Sequence, residues 1–275
     1  MASAACAMLV ISVVASVVRE VELGISRRQS LRRLAGAAAI PSSALAAPVK
    51  QSTRIRLVVL DVGGTIVEDR GDVPRLLSSA LAHHGIKSTA AEIGQRRGAS
   101  KREIIRYFVE KQTLPPSANR DQLVGAIYEQ FSSNLMEVYR SVPPIPGSER
   151  AIQQMRRDGY VLATSTGFDR AITMSIFRRL GWEKYFAAII CSDDVLQGRP
   201  APYMLFHAME AARVESVSEV MAVGDTPLDL HAGTNAGLGA VVGVLSGVSN
   251  SETLRREPHT HILQSVANLP ALLKS

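Results

Sequence analysis

Asp61 stands directly after a run of strand-forming residues, in the segment Leu57-Val-Val-Leu-Asp-Val-Gly-Gly-Thr65. In an open α/β sheet, ligands bind at the carboxyl ends of the strands. A carboxylate placed there can attack phosphorus, ligate a metal, or do both. Gly64 and Thr65 follow, in a turn whose backbone can bend sharply and approach a phosphate closely. Three other segments carry complementary residue types. Thr164-Ser-Thr-Gly167 offers the Thr166 hydroxyl and the Gly167 turn to phosphate oxygens. Gly198-Arg-Pro200 supplies Arg199 to neutralise a phosphoryl group. Val223-Gly-Asp-Thr-Pro-Leu-Asp229 places Asp225 and Asp229 four apart, on one face of a helix.

Two acidic loops beside one anion require a hard cation. Mg²⁺ accepts one or two carboxylates together with substrate oxygens and water. Asp61 and Asp225 are the carboxylate ligands this arrangement points to, and Asp229 orients the shell around them.

The elements that must position these loops alternate along the chain, which predicts a parallel sheet flanked by helices. The strand candidates are Ile55–Leu60, Tyr160–Thr164, Ala187–Ile190, Val220–Val223 and Ala240–Val244. Helices are expected at Ser148–Asp158, Arg170–Leu180, Tyr203–Ala212 and Leu228–Ala236. Residues 73–141 are too long for a single crossover and contain helical stretches at Pro74–Gly85, Lys101–Lys111 and Asp121–Tyr139. A small helical cap inserted after the first strand is therefore predicted, with the α/β core formed by residues 51–72 and 142–275. Ser100 and Glu103 read as a capping box for the middle helix, and Ser148 as the cap of the helix after the insert. His83 and His84 read as helix-end residues.

The net charge of +6 does not point to nucleic acid. Arg19, Arg27, Arg28, Arg32, Arg33 and Lys50 face only Glu20 and Glu22 in the first 50 residues, which leaves the remainder nearly neutral. Ser26–Ala47 joins paired arginines to an Ala-rich run and a small-x-small site at Ala44-Leu45-Ala46. That pattern resembles a twin-arginine export signal and implies a periplasmic or secreted protein. An organellar transit region, or a disordered tail on a cytoplasmic protein, remains the alternative. The run Met8–Val18 is too short to span a bilayer, so no stable membrane span is expected in the mature chain. Cys6 falls in this leader, and Cys191 reads as a structural thiol at a strand end.

Together the four loops resemble the haloacid dehalogenase-like hydrolase superfamily over about residues 55–247. The resemblance implies a Rossmann-like core and an aspartyl-phosphate formed on Asp61. It also implies Mg²⁺ held by Asp61, Asp225 and the Gly63 carbonyl, with Thr166, Arg199 and Asp229 in the family's remaining motif positions. In its phosphatases the residue two after the nucleophile is usually an acid that serves the leaving alcohol and the attacking water. Here it is Gly63, which cannot transfer a proton. One branch, the phosphonoacetaldehyde hydrolases, has a small residue there and uses a cap lysine that forms an imine with the substrate aldehyde. Arg97-Gly-Ala-Ser-Lys-Arg-Glu-Ile104 is similar to the segment bearing that lysine, which places Lys101 at the matching position. Ile104 stands where that branch has histidine, and Arg97 where it has methionine. Arg97 and Arg102 are the neighbours expected to lower the Lys101 pKa.

The leading expectation is a Mg²⁺-dependent hydrolase of a small phosphonate or phosphate metabolite, with Asp61, Lys101 and Arg199 at the reacting centre. A phosphoglycolate-type phosphatase and a non-catalytic binding protein of the same fold stay open beside it.

Overall fold

The computed structural model describes residues 54–115 and 117–275; the expected leader, including Cys6, lies outside them. Six strands are present among the described residues: β1 (Leu57–Leu60), β2 (Val161–Ser165), β3 (Ala188–Ile190), β4 (Val220–Gly224), β5 (Ala240–Val244) and β6 (His261–Leu263). They form one sheet in the order β3-β2-β1-β4-β5-β6, and every pairing is parallel. The strand order reverses between β1 and β4, which is where such sheets open a ligand crevice. Leu60 pairs with Thr164 on one side and Val223 on the other, so Asp61 emerges level with the ends of both neighbours.

A central parallel strand is covered on both faces, which explains the unbroken apolar run of β1. Val58 and Leu60 face a cluster shared with α5 (Ser148–Arg157) and α6 (Arg170–Leu180). Leu57 and Val59 face α7 (Tyr203–Ala212) and α8 (Pro227–Asn235). Between β1 and β2 the chain inserts α1 (Asp72–His83), α2 (Ala90–Gly94), α3 (Lys101–Glu110) and α4 (Arg120–Tyr139). Their apolar faces, including Leu77, Ile105, Phe108, Ile127 and Phe131, continue the first cluster, so insert and sheet share one core. Two short helices, α9 (Ser251–Arg255) and α10 (Leu269–Leu272), complete the described chain.

Several local expectations need correction. Ser100 makes no side-chain cap, because Glu103 turns away to accept the Gly198 amide at 2.9 Å. The cap of α5 is Gly147, in the left-handed region at φ 82°; Ser148 is the first helical residue, and its hydroxyl is buried without a partner. The helix α2 and strand β6 were not anticipated. With five and three residues, they are too short to display a periodicity. His83 and His84 do end α1, and His84 contacts Gln130 at 3.1 Å. Cys191 is buried, and burial pushes its thiol up to about 12, in keeping with a structural role.

Phe131 is fully buried where α4 meets the rest of the core. Phe131→Ala is expected to cost about 3–5 kcal/mol of stability. Trp182, the chain's one tryptophan, is itself buried, so its emission in a denaturant titration reports the loss directly. An unchanged midpoint would contradict the shared core.

Candidate active site

Four strand ends converge on one buried guanidinium. Arg199, at 4% exposure, donates from Nη2 to Asp61 Oδ1 at 2.8 Å and to the Ser165 carbonyl at 3.3 Å. Its Nη1 pairs with Asp229 Oδ1. The Arg199–Pro200 peptide is cis. Asp229 also serves its own helix: Oδ2 accepts the Thr226 amide at 3.0 Å and the Thr226 hydroxyl at 2.5 Å in a reciprocal cap of α8. Thr226, not Asp225, is therefore the cap residue, and Asp225 is left facing the crevice.

Asp225 is 1% exposed. Its Oδ2 accepts the Val248 amide at 2.8 Å, while Oδ1 is buried with no hydrogen-bond partner. Burial first, and then the Asp61 charge, push this carboxyl up to about 7. Oxygens of Asp61, Asp225 and Asp229 lie within 4.8 Å of one another. Three carboxylates around one arginine, one of them with an orphaned oxygen, form a donor set that fits a hard divalent cation. Gly64, at φ 83°, permits this crowding: a Cβ there would fall 2.5 Å from Asp225 Oδ2.

Asp61, Asp225 and Arg199 line one cleft between the core and the insert. Asp61, Gly63, Thr166, Gly167, Arg199 and Asp225 form its core side. Gly63 and Gly167 have amides that donate to no protein acceptor among the described residues, which leaves them free for an anion. Gly64 and Thr65 do not reach the cleft wall. The Gly64 amide is spent on the Val67 carbonyl at 2.7 Å, and the Thr65 hydroxyl is buried without a partner. The turn thus presents the glycine before the expected pair. Thr166 lies on the wall at 1% exposure, its hydroxyl accepting the Phe168 amide at 3.2 Å.

The insert supplies the opposite wall, with Lys101 on it. Lys101 is 6% exposed; its Nζ donates to the Ala99 carbonyl at 3.0 Å and lies 5.2 Å from the centre of the Phe168 ring. The amine is held down to about 8, by burial first and then by the Arg199 charge. Arg97 and Arg102 are not the cause. Arg102 is instead stacked over the Tyr128 ring at 3.8 Å. Ile104, at the position of the expected histidine, is buried on the same wall.

Insert and core close on each other at Gly167, where a Cβ would lie 2.7 Å from the Gly98 and Ala99 carbonyls. A Cβ at Gly63 would lie 3.2 Å from the Phe168 ring, so an acid at 63 would require that ring to give slightly. Two sources of polar contacts on the wall escaped the sequence reading. Asp69, nine residues beyond the end of β1, has its Oδ1 held by the Gly71 amide at 2.8 Å. Val248 follows β5, and its contribution is a backbone amide that no residue-type pattern reveals.

A family model described as haloacid dehalogenase-like hydrolase matches residues 55–237. Phosphonoacetaldehyde hydrolase of Lysinibacillus sphaericus is 29% identical over 207 residues, covering 71% of this chain and 77% of the relative. Phosphoglycolate phosphatase of Agrobacterium fabrum is 28% identical over 221 residues, covering 79% and 92%. The crystal structure of a phosphonoacetaldehyde hydrolase-like protein from Oleispira antarctica superposes with a TM-score of 0.71 at 20% identity, over 84% of this chain and 95% of that one. That last likeness concerns the fold. With the family model spanning β1 to β4 and the loops that carry Asp61, Thr166, Arg199 and Asp225, the chain belongs to the haloacid dehalogenase-like hydrolases.

Proposed function

We propose that this hydrolase acts on a small phosphonate or phosphate metabolite through an aspartyl-phosphate on Asp61, with Mg²⁺ as cofactor and Lys101 as the amine that activates a carbonyl phosphonate. The observation that carries the reading is the shared cleft: a buried, low-pKa lysine faces the same space as Asp61 and Arg199. Relatives named for phosphonoacetaldehyde hydrolysis support it from the sequence side.

Asp61 Oδ1 is held by Arg199, which leaves Oδ2 as the oxygen to attack phosphorus. The free amides of Gly63 and Gly167, with the Thr166 hydroxyl, receive the phosphoryl oxygens. Arg199 offsets their charge from within a site where few water molecules compete. Asp61, Asp225 and the Gly63 carbonyl would hold Mg²⁺, which supplies charge neutralisation at the phosphoryl group when bound. Lys101, neutral at mildly alkaline pH, adds to the substrate carbonyl and gives an imine that accepts the electron pair of the breaking carbon–phosphorus bond. Water then releases phosphate from Asp61, and protonation of the enamine with hydrolysis of the imine by a second water frees the carbonyl product and the Lys101 amine.

A phosphoglycolate-type reading is favoured by one observation: apolar Ile104 leaves Lys101 without an imidazole for proton transfer. The alternatives separate on Lys101. Borohydride with phosphonoacetaldehyde is expected to trap a reduced adduct on Lys101, absent in Lys101→Ala. A chain that turns over phosphoglycolate but traps nothing belongs to the second reading.

The neutral amine is the nucleophile, so trapping should rise with pH through about 8 and then level off. A lysine at its ordinary value would still be climbing above pH 9. Asp61→Asn should lower phosphate release by roughly a thousandfold or more while leaving the fold intact by circular dichroism. Near-normal turnover in that variant would rule out the aspartyl-phosphate. Chelation with EDTA should abolish release, and added Mg²⁺ should restore it.

A further inference from the structure

Arg97 lies on the cleft wall contributed by the insert, four residues before Lys101. Its Nε is buried, and its side chain makes no hydrogen bond or ion pair among the described residues. Nearby on the wall are Val73, Leu77, Ile93 and Ile104, which offer it no acceptor. Asp69 shares the wall, but its Oδ1 is taken by the Gly71 amide and it forms no ion pair with Arg97. A partly buried guanidinium without a counter-ion is costly unless a ligand supplies one.

The phosphoryl group does not need this cation, because Arg199 and the free amides of Gly63 and Gly167 already face it. The two cations also sit on different sides of the cleft: Arg199 is bonded to Asp61 on the core side, and Arg97 is carried by the insert. Core and insert thus present cations to two separate parts of a ligand, with the Lys101 amine on the same wall as the second.

Building on the hydrolytic reading above, we propose that Arg97 is the counter-ion for a carboxylate on the substrate. The class this selects is a phosphonate bearing a carbonyl and, beyond it, a carboxylate: a 3-phosphono-2-oxo acid, not a bare phosphono-aldehyde. The Lys101 amine condenses with the oxo carbon, releasing one water. Asp61 displaces carbon from phosphorus, and the carbon–phosphorus electron pair passes into an enamine. One water hydrolyses the aspartyl-phosphate to inorganic phosphate. Protonation of the enamine carbon and hydrolysis of the imine by a second water return the amine and a 2-oxo acid with methyl in place of the phosphonomethyl group.

The test is calorimetric binding of two inert probes to the full chain with Mg²⁺ present: 3-phosphonopropionate, and propylphosphonate, which has the same length but no carboxylate. The wild type is expected to bind the carboxylate probe about tenfold more tightly, as one charge-assisted contact provides. Arg97→Met should bring the two affinities within about twofold, and Arg97→Lys should retain part of the difference. Equal binding by the wild type overturns the proposal, as does a preference that survives in Arg97→Met. If Arg97→Met loses both probes while remaining folded by circular dichroism, Arg97 holds the phosphonate end, which also overturns it. If Arg97→Met does not fold, the wild-type preference and its reduction in Arg97→Lys decide the matter. Because neither probe is cleaved, a carboxylate preference without turnover of any phosphonate would sink the carbon–phosphorus cleavage and leave Arg97's role as the carboxylate counter-ion standing.

Discussion

A buried guanidinium is costly unless its charge is paired, and Arg199 is paired with two carboxylates and a backbone carbonyl while its Nε stays buried without a partner among the described residues. Removing any one of them strands charge in the interior. Asp61 must therefore end β1 level with Ser165 on β2, and Asp229 must turn back from the first turn of α8. The parallel register, the reversal of strand order between β1 and β4, and the reciprocal cap of Thr226 with Asp229 all serve that one placement. Excess negative charge follows from it. Asp225 is crowded against the same centre with no arginine of its own, and this is why its free oxygen suits a cation.

Core and insert divide the chemistry. The sheet brings the carboxylates, the arginine and the phosphate-facing amides; the insert brings an amine, an unpaired guanidinium and an apolar wall. Their apolar residues form a continuous core, so the wall is held by the same packing that supports the sheet. Glycine sets the closeness of the fit at two places. At Gly64 it admits the Asp225 carboxylate, and at Gly167 it admits two carbonyls of the insert.

The sheet was legible in the sequence because buried parallel strands read as short apolar runs, and the reactive types sit immediately after them. Asp61, Thr166, Arg199, Asp225 and Asp229 could be gathered on that pattern alone, and the structure brings them to one crevice. Contacts decided by distant partners were not legible. Glu103 has the spacing of a capping box, yet a backbone amide 95 residues away claims it. Gly64 and Thr65 resemble phosphate binders by type, but the turn consumes the Gly64 amide and leaves the Gly63 amide free. The low Lys101 pKa was expected from its sequence neighbours, but it arises from burial and from an arginine on another strand end. The absence of a partner for Arg97 among the described residues could not be read from the chain at all, since it is a property of the whole wall.

The bond between Glu103 and the Gly198 amide joins the first turn of α3, which starts at Lys101, to the residue just before Arg199. One link in the chain thus separates the insert's hold on the core from the guanidinium at its centre. Lys101 on the insert and Arg199 on the core are thus tied through a single hydrogen bond between residues beside each of them, so the two sides of the cleft keep a common spacing.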